Sequence, residues 1–186
     1  DKWWDGFGGL LDATNPAALD WFLNRLKALQ AATGLDGFKF DAGEAIFLAE
    51  DAVWQGRTQG FAPTRNDYTH HYINFVAKNF ALTEVRSGWF NQAAPIFVRL
   101  WDKTTNWSIA NGLRSVIPAS LSMSLTGYPY VLPDMIGGNA YAEQADAELM
   151  IRWTQLNALL PALQFSLAPW EYGEECDRLC RRYAEL

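Results

Sequence analysis

Gly37-Phe38-Lys39-Phe40-Asp41-Ala42-Gly43-Glu44 is the stretch whose reading decides the fold. Phe38 and Phe40 alternate with Lys39 and Asp41, and this period of two predicts a short strand with one apolar face. Gly43 follows at once, so the strand stops on an acid. In α/β folds the carboxyl-terminal edge of the strands is where reactive groups gather. A second apolar run, Ile96-Phe97-Val98-Arg99-Leu100-Trp101-Asp102, also closes on an acid. Two carboxylates delivered to one edge by two strands suit glycoside hydrolysis, in which one attacks and the other donates a proton. A strand-terminal Asp also commonly caps the next helix or binds a loop N–H, so each acid taken singly has a purely structural alternative.

Composition narrows the function classes. The 186 residues allow one domain with a real core, and 49% apolar with 19% charged residues marks a folded chain. A net charge of −6 with no basic face predicts no nucleic-acid partner. No run of 18 apolar residues occurs, so no membrane-spanning helix is expected. Nine tryptophans are many for this length; indole faces stack on the C–H faces of pyranose rings, although core filling explains tryptophan equally well. Cys176 and Cys180 lie four apart on a predicted helix, a spacing that rarely suits a disulfide, and no Cys/His set at metal spacing accompanies them. His70 and His71 are adjacent and diverge on a helix. Neither a metal nor a cofactor is therefore expected. The chain starts on Asp1 and stops inside the predicted helix Arg181-Arg182-Tyr183-Ala184-Glu185-Leu186, so a piece of a longer protein, truncated at both ends, is expected.

Outward from the opening strand, the elements alternate. Asp1-Lys2-Trp3-Trp4-Asp5-Gly6-Phe7-Gly8-Gly9 reads as a glycine-rich loop. Asn15-Pro16 is a strong helix start, and Leu19, Phe22, Leu23, Leu26 and Leu29 carry the helix to about Thr33, where Gly34 stops it. After the Asp41 strand, 44–66 is irregular. A helix over about 67–80 and a strand over about 83–86 follow. Beyond Asp102, a long helix is predicted from Asn106, with Ile109, Leu113, Val116, Ile117, Leu121 and Leu125 buried and a kink at Pro118. A strand over 128–132, a helix over about 143–160, a strand over about 162–165 and a final helix from near Tyr172 complete the chain. About five βα units in this order predict an α/β fold with a parallel sheet, either open or part of an eight-stranded barrel. No glycine-rich phosphate fingerprint follows any strand, so a dinucleotide fold is not expected.

Six blocks in order resemble glycoside hydrolase family 31, the α-glucosidase superfamily of retaining exo-glycosidases. They are Trp3-Trp4-Asp5-Gly6 with Leu11-Asp12-Ala13-Thr14-Asn15-Pro16, the Asp41 strand, Arg86-Ser87-Gly88, Asp102 with Trp107 five residues on, Leu132-Pro133-Asp134-Met135-Ile136-Gly137-Gly138, and Glu148-Leu149-Met150-Ile151-Arg152-Trp153. The likeness runs from Trp4 to Trp170 and is greatest to the myogenesis-regulating-glycosidase-like branch. It implies that the chain is the C-terminal part of a (β/α)8 barrel, a partial catalytic domain over 1–186, with the N-terminal half of the barrel elsewhere in the parent chain. It implies Asp41 as nucleophile and Asp102 as acid/base, their carboxyls about 5 Å apart as retention requires. The substrate would be an oligosaccharide or other glycoside. Trp4, Lys39, Arg86, Trp101, Asp134 and Trp170 are the candidate sugar contacts; Lys39 and Arg86 could equally hold Asp41 ionised, and Asp134 could instead order its own Gly-Gly turn. Two departures bear on specificity. Much of the family has Gly-Asp-Asn where this chain has Trp101-Asp102-Lys103, and an Arg-x-His where it has Gln164-Phe165-Ser166. The expectation is therefore a terminal α-linked hexoside, α-galactoside ahead of α-glucoside. An inactive sugar-binding relative, an α-xylosidase and a transglycosylase are the alternatives.

Overall fold

The first helix begins where Asn15 meets Pro16, and the chemistry of that junction is visible in a computed structural model, which describes residues 2–3, 6–55 and 64–186. The chain divides into two units, Asp1–Ile96 and Phe97–Leu186. In the first unit, β1 (Lys2–Trp3) and β2 (Gly6–Phe7) form a two-residue antiparallel ribbon where a plain loop was predicted. Its ladder, Lys2 opposite Phe7 and Trp3 opposite Gly6, is too short to show as alternation in the sequence. Helix α1 (Pro16–Thr33) follows its predicted bounds. The Asn15 side-chain oxygen accepts the Ala17 N–H at 3.0 Å, and the N–H of Gly34, at φ 70°, donates to the Gln30 carbonyl at 2.9 Å.

Strand β3 (Gly37–Phe40) pairs in parallel with β4 (Leu82–Val85), with Lys39 opposite Glu84 and Phe40 opposite Val85. The crossover between them includes α2 (Arg65–Asn79). Helix α2 starts two residues ahead of prediction because Thr64 and Asp67 cap it together: the Thr64 N–H and hydroxyl donate to Asp67 Oδ2 at 2.6 and 2.9 Å. Phe38, Phe40 and Phe80 cluster with ring centroids 5.0–5.7 Å apart, and Ile73, Val76 and Val85 are buried in the same unit. Each such side chain contributes about 1.5–3 kcal/mol on burial.

In the second unit, β5 (Phe97–Arg99) pairs in parallel with β6 (Val131–Leu132). The long helix predicted from Asn106 is not formed. Residues 106–112 close into a loop instead, because the Asn106 side chain accepts the Ser108 N–H at 3.0 Å and its carbonyl accepts the Leu113 N–H at 2.9 Å. A 3-10 turn (Leu113–Ser115) leads into α3 (Val116–Leu125). Pro118 thus falls in the first turn, where its missing N–H has no carbonyl to serve, and the predicted kink has no cause. Of the expected apolar stripe, Leu113 and Val116 are buried, whereas Ile109, Ile117, Leu121 and Leu125 are exposed.

A second parallel pair, β7 (Met135–Ile136) with β8 (Gln164–Phe165), brackets α4 (Ala147–Asn157). Strand β7 was not predicted: it starts only two residues after β6, across a turn in which Asp134 has φ 71°. Helix α4 is shorter than predicted because Asp146 caps it, accepting the Leu149 N–H at 2.7 Å. A 3-10 turn (Pro169–Tyr172) precedes α5 (Glu174–Ala184), which packs on α4. Ile136, Met150 and Trp153 are fully buried here, beside Cys176 and Cys180. The two sulfurs are free thiols 3.9 Å apart, and Cys180 Sγ lies 3.3 Å from the Thr154 hydroxyl. Three β-α-β repeats with parallel partners, β3-α2-β4, β5-α3-β6 and β7-α4-β8, make the chain α/β as predicted.

Candidate active-site elements

Asp41 is the first residue beyond β3, so the strand direction fixes where its carboxylate emerges. The turn that follows takes left-handed backbone at Ala42 (φ 59°) and Gly43 (φ 89°). Side chains satisfy its carbonyls one by one: the Tyr72 hydroxyl donates to Asp41 O at 3.3 Å, Ser87 to Ala42 O at 3.1 Å and Thr69 to Gly43 O at 2.7 Å. At Gly43 a Cβ would meet the Tyr72 ring at 2.7 Å, so glycine is needed both for φ and for space. Burial, reinforced by the nearby Tyr68, Asp41 and Glu44, pushes the Tyr72 phenol above its ordinary range and keeps it a neutral donor.

Arg86, one residue past β4, comes to the same place. Its Nε lies 3.3 Å from Asp41 Oδ1 and 2.6 Å from Glu44 Oε1. The guanidinium and Glu44 are largely buried (5% and 13% exposed), whereas Asp41 is 44% exposed. One buried cation therefore serves a buried carboxylate and an accessible one. Lys39 is placed otherwise: its ammonium pairs at 4.0 Å with Glu84, its cross-strand neighbour. Trp4 lies outside the described residues.

The second unit repeats the motif. Asp102 lies three residues beyond the end of β5, and Arg99, the last residue of that strand, turns its Nη1 to three acceptors. These are Asp102 Oδ1 at 2.9 Å, Asp134 Oδ1 at 3.0 Å and the Leu100 carbonyl at 3.1 Å. Arg99 is 3% exposed and Asp134 fully buried. Asp134 Oδ2 also accepts the Lys103 N–H at 2.7 Å and the Asn139 amide at 2.9 Å, so both of its oxygens are engaged. The Tyr141 hydroxyl donates to Asp102 Oδ2 at 2.9 Å. That hydrogen bond, then burial and the charges of Asp102 and Asp134, raise the Tyr141 phenol above its ordinary range, with Arg99 acting against them. The Asn111 amide holds the Asp102 carbonyl at 2.7 Å. The Lys103 ammonium turns away to Ser115 Oγ at 3.1 Å; burial pushes its pKa down while Asp134 pulls it up. Gly138, at φ 78°, brings the turn so close to the 104–105 backbone that a Cβ would meet it at 2.8 Å. Trp101 is exposed beside Asp102, and Trp170 is exposed in the 3-10 turn before α5, on a groove with Leu167 and Arg181.

Each unit thus presents an accessible carboxylate just past a parallel strand, backed by a buried arginine that a second, more buried carboxylate also engages. Three members of these clusters were not singled out from the sequence. Glu44 stood in the decisive stretch without a role. Arg99 carried a usable signal, since a charge inside an apolar strand demands a buried partner. Tyr141 comes from an irregular segment and had no signal.

The model of the glycosyl hydrolases family 31 TIM-barrel domain matches residues 1–186. The myogenesis-regulating glycosidase of Mus musculus is 38% identical over 196 residues, covering 100% of this chain and 26% of that protein. The SITS-binding protein of Tetronarce californica is 32% identical, covering 93% of this chain and 24% of its own length. The chain thus spans about a quarter of the length of these curated relatives. Among solved structures, the cycloalternan-degrading enzyme of Trueperella pyogenes superposes with a TM-score of 0.81 at 22% identity, over 99% of this chain and 28% of that one. The fold is therefore that of the (β/α)8 barrel, of which these parallel units are part. By its match along the whole length, and by the order of its motifs, the chain belongs to glycosyl hydrolase family 31.

Proposed function

We propose that these 186 residues are part of a larger catalytic barrel that hydrolyses terminal α-linked hexosides with retention, α-galactosides in preference to α-glucosides. The observation that carries this is Asp41: an accessible carboxylate at the end of a parallel strand, its turn locked by three side-chain hydrogen bonds and its charge balanced by Arg86. The ionised carboxylate is the form that attacks. Asp41 attacks the anomeric carbon, the bond to the aglycone oxygen breaks, and a glycosyl ester forms. Asp102 gives its proton to the departing oxygen, then takes one from the water that cleaves the ester. Arg86 steadies Asp41, and Trp101, Asp134, Lys39, Trp4 and Trp170 are sugar contacts or their supports. The preference for galactose rests on Trp101-Asp102-Lys103 and Gln164-Phe165-Ser166, which alter the positions that much of the family uses to hold glucose.

Intact-mass labelling of the full-length protein with 5-fluoro-α-galactosyl and 5-fluoro-α-glucosyl fluorides tests both parts. The expected result is one stoichiometric adduct mapping to Asp41, faster with the galactosyl probe and absent in Asp41→Ala. Faster glucosyl labelling overturns the sugar preference and leaves the mechanism standing. No adduct on a folded protein favours the second reading, a relative that binds sugar and does not turn it over.

A further inference from the structure

Arg99 occupies an unusual place. It sits in a three-residue strand within an apolar run, and its side chain is 3% exposed. A guanidinium buried there requires an anion, and Asp134, fully buried at 3.0 Å, supplies one. The same nitrogen nevertheless donates to Asp102 Oδ1 at 2.9 Å. For a proton donor such a contact is adverse, because a cation favours the ionised carboxylate. The negative charge of Asp134 on the other side of that nitrogen opposes it.

We propose that Arg99 is the positioning residue of Asp102, and that the buried Asp134, through the guanidinium they share, sets how tightly Asp102 holds its proton. The proposal rests on the reading of Asp102 as acid/base. It also assigns the proton to one oxygen. Oδ1 faces Arg99, which has donors only, so the proton belongs on Oδ2. Oδ2 faces Tyr141, whose hydroxyl can turn from donor to acceptor and whose ring is 77% exposed. Among the described residues of this unit, the charged and titratable groups facing Asp102 include Arg99 from β5, Asp134 on the same guanidinium nitrogen from the turn between β6 and β7, and Tyr141 from the segment before α4. Lys103 acts on Asp134 and directs its ammonium to Ser115.

The test follows the titration of Asp102 in the full-length protein by its side-chain 13C carboxyl resonance, assigned by difference against Asp102→Asn. Arg99→Met removes the cation and is expected to move that titration to higher pH by about one unit or more. Asp134→Asn removes the opposing negative charge from beside Arg99 and is expected to move it to lower pH by a similar amount. Arg99→Lys is expected to shift it less than Arg99→Met. The opposite signs are the signature, since loss of packing alone gives no reason for them; shifts of one sign, or none, overturn the proposal. Where a single variant leaves a buried charge unpaired and does not fold, the double variant Arg99→Met/Asp134→Asn removes both charges together. It is expected to titrate close to the parent, whereas Arg99→Lys still moves; a double variant that shifts by a full unit overturns the proposal. Turnover is read separately. If Asp102→Ala hydrolyses poor and good leaving groups as the parent does, the acid/base reading fails, while the titrations still decide the role of Arg99.

Discussion

Arg86 answers two carboxylates with one nitrogen, and the consequences of losing it are unequal. Asp41 can turn to water, whereas Glu44 cannot. Arg86→Ala is therefore expected to cost about 3–5 kcal/mol of stability in urea denaturation, mostly through the stranded Glu44. Glu44→Gln keeps the shape and removes the competing charge, so it is expected to cost less and to leave the Arg86–Asp41 pair in place. If Glu44→Gln proves as damaging as Arg86→Ala, the buried acid has some further duty. Gly138→Ala is a second residue-scale case. Its left-handed backbone costs about 1–3 kcal/mol, and the nearby 104–105 main chain cannot yield as a side chain would, so a larger loss is expected. Activity lost without that loss of stability would contradict a packing role for Gly138. For catalysis, Asp102→Ala is expected to slow alkyl glycosides far more than aryl glycosides with activated leaving groups, because only the former need the proton. Equal losses would remove Asp102 from that role.

At the scale of elements, the caps were legible and the loops were not. Asn15-Pro16 and Gly34 announce α1 because their effects are local: a side-chain oxygen two residues from an N–H, and a glycine free to take positive φ. Asn15→Ala is expected to cost about 1 kcal/mol, measured by urea denaturation. The same local logic misled at Asn106, where the side chain serves a loop rather than a helix, so α3 begins ten residues later than its apolar spacing suggests. Asp12 shows how a short segment is held before α1. Its Oδ1 accepts the Thr14 N–H and hydroxyl at 2.9 and 2.6 Å, and its Oδ2 accepts the Gln55 N–H at 2.7 Å. Burial raises the Asp12 pKa, but these hydrogen bonds more than offset it, and the net value lies below the ordinary 3.8. A carboxyl lowered in the folded state stabilises above its unfolded pKa and loses that contribution as pH falls through the folded value. Asp12→Asn is therefore expected to flatten the pH dependence of stability below about pH 4. A parent and variant with parallel curves over pH 2–5 would show that Asp12 contributes nothing there.

Over the whole chain, alternation of strands and helices was the readable feature, because each strand is short, apolar and ended by a polar residue or a turn. The two strand-end acids were readable for the same reason. Their partners were not all so. Tyr141 reaches Asp102 from 39 positions along the chain, Asp134 reaches Arg99 from 35, and Glu84 reaches Lys39 from 45. No local pattern encodes those meetings; the family likeness pointed to Asp134 and Arg86, and chain folding supplied Tyr141 and Glu44. Each unit has a core of its own, one built on phenylalanines around β3 and α2, the other on Trp153 and its neighbours. Chain beyond the quarter spanned here is expected to complete the barrel that these units begin.

The paired thiols beneath α4 carry a practical consequence. Burial first, then Cys180, raises Cys176 to about 12, so it stays protonated and shielded while α5 remains docked. A thiol reagent can consume it only during the moments when that helix lifts. The rate of its modification is thus a clock on the detachment of the last helix.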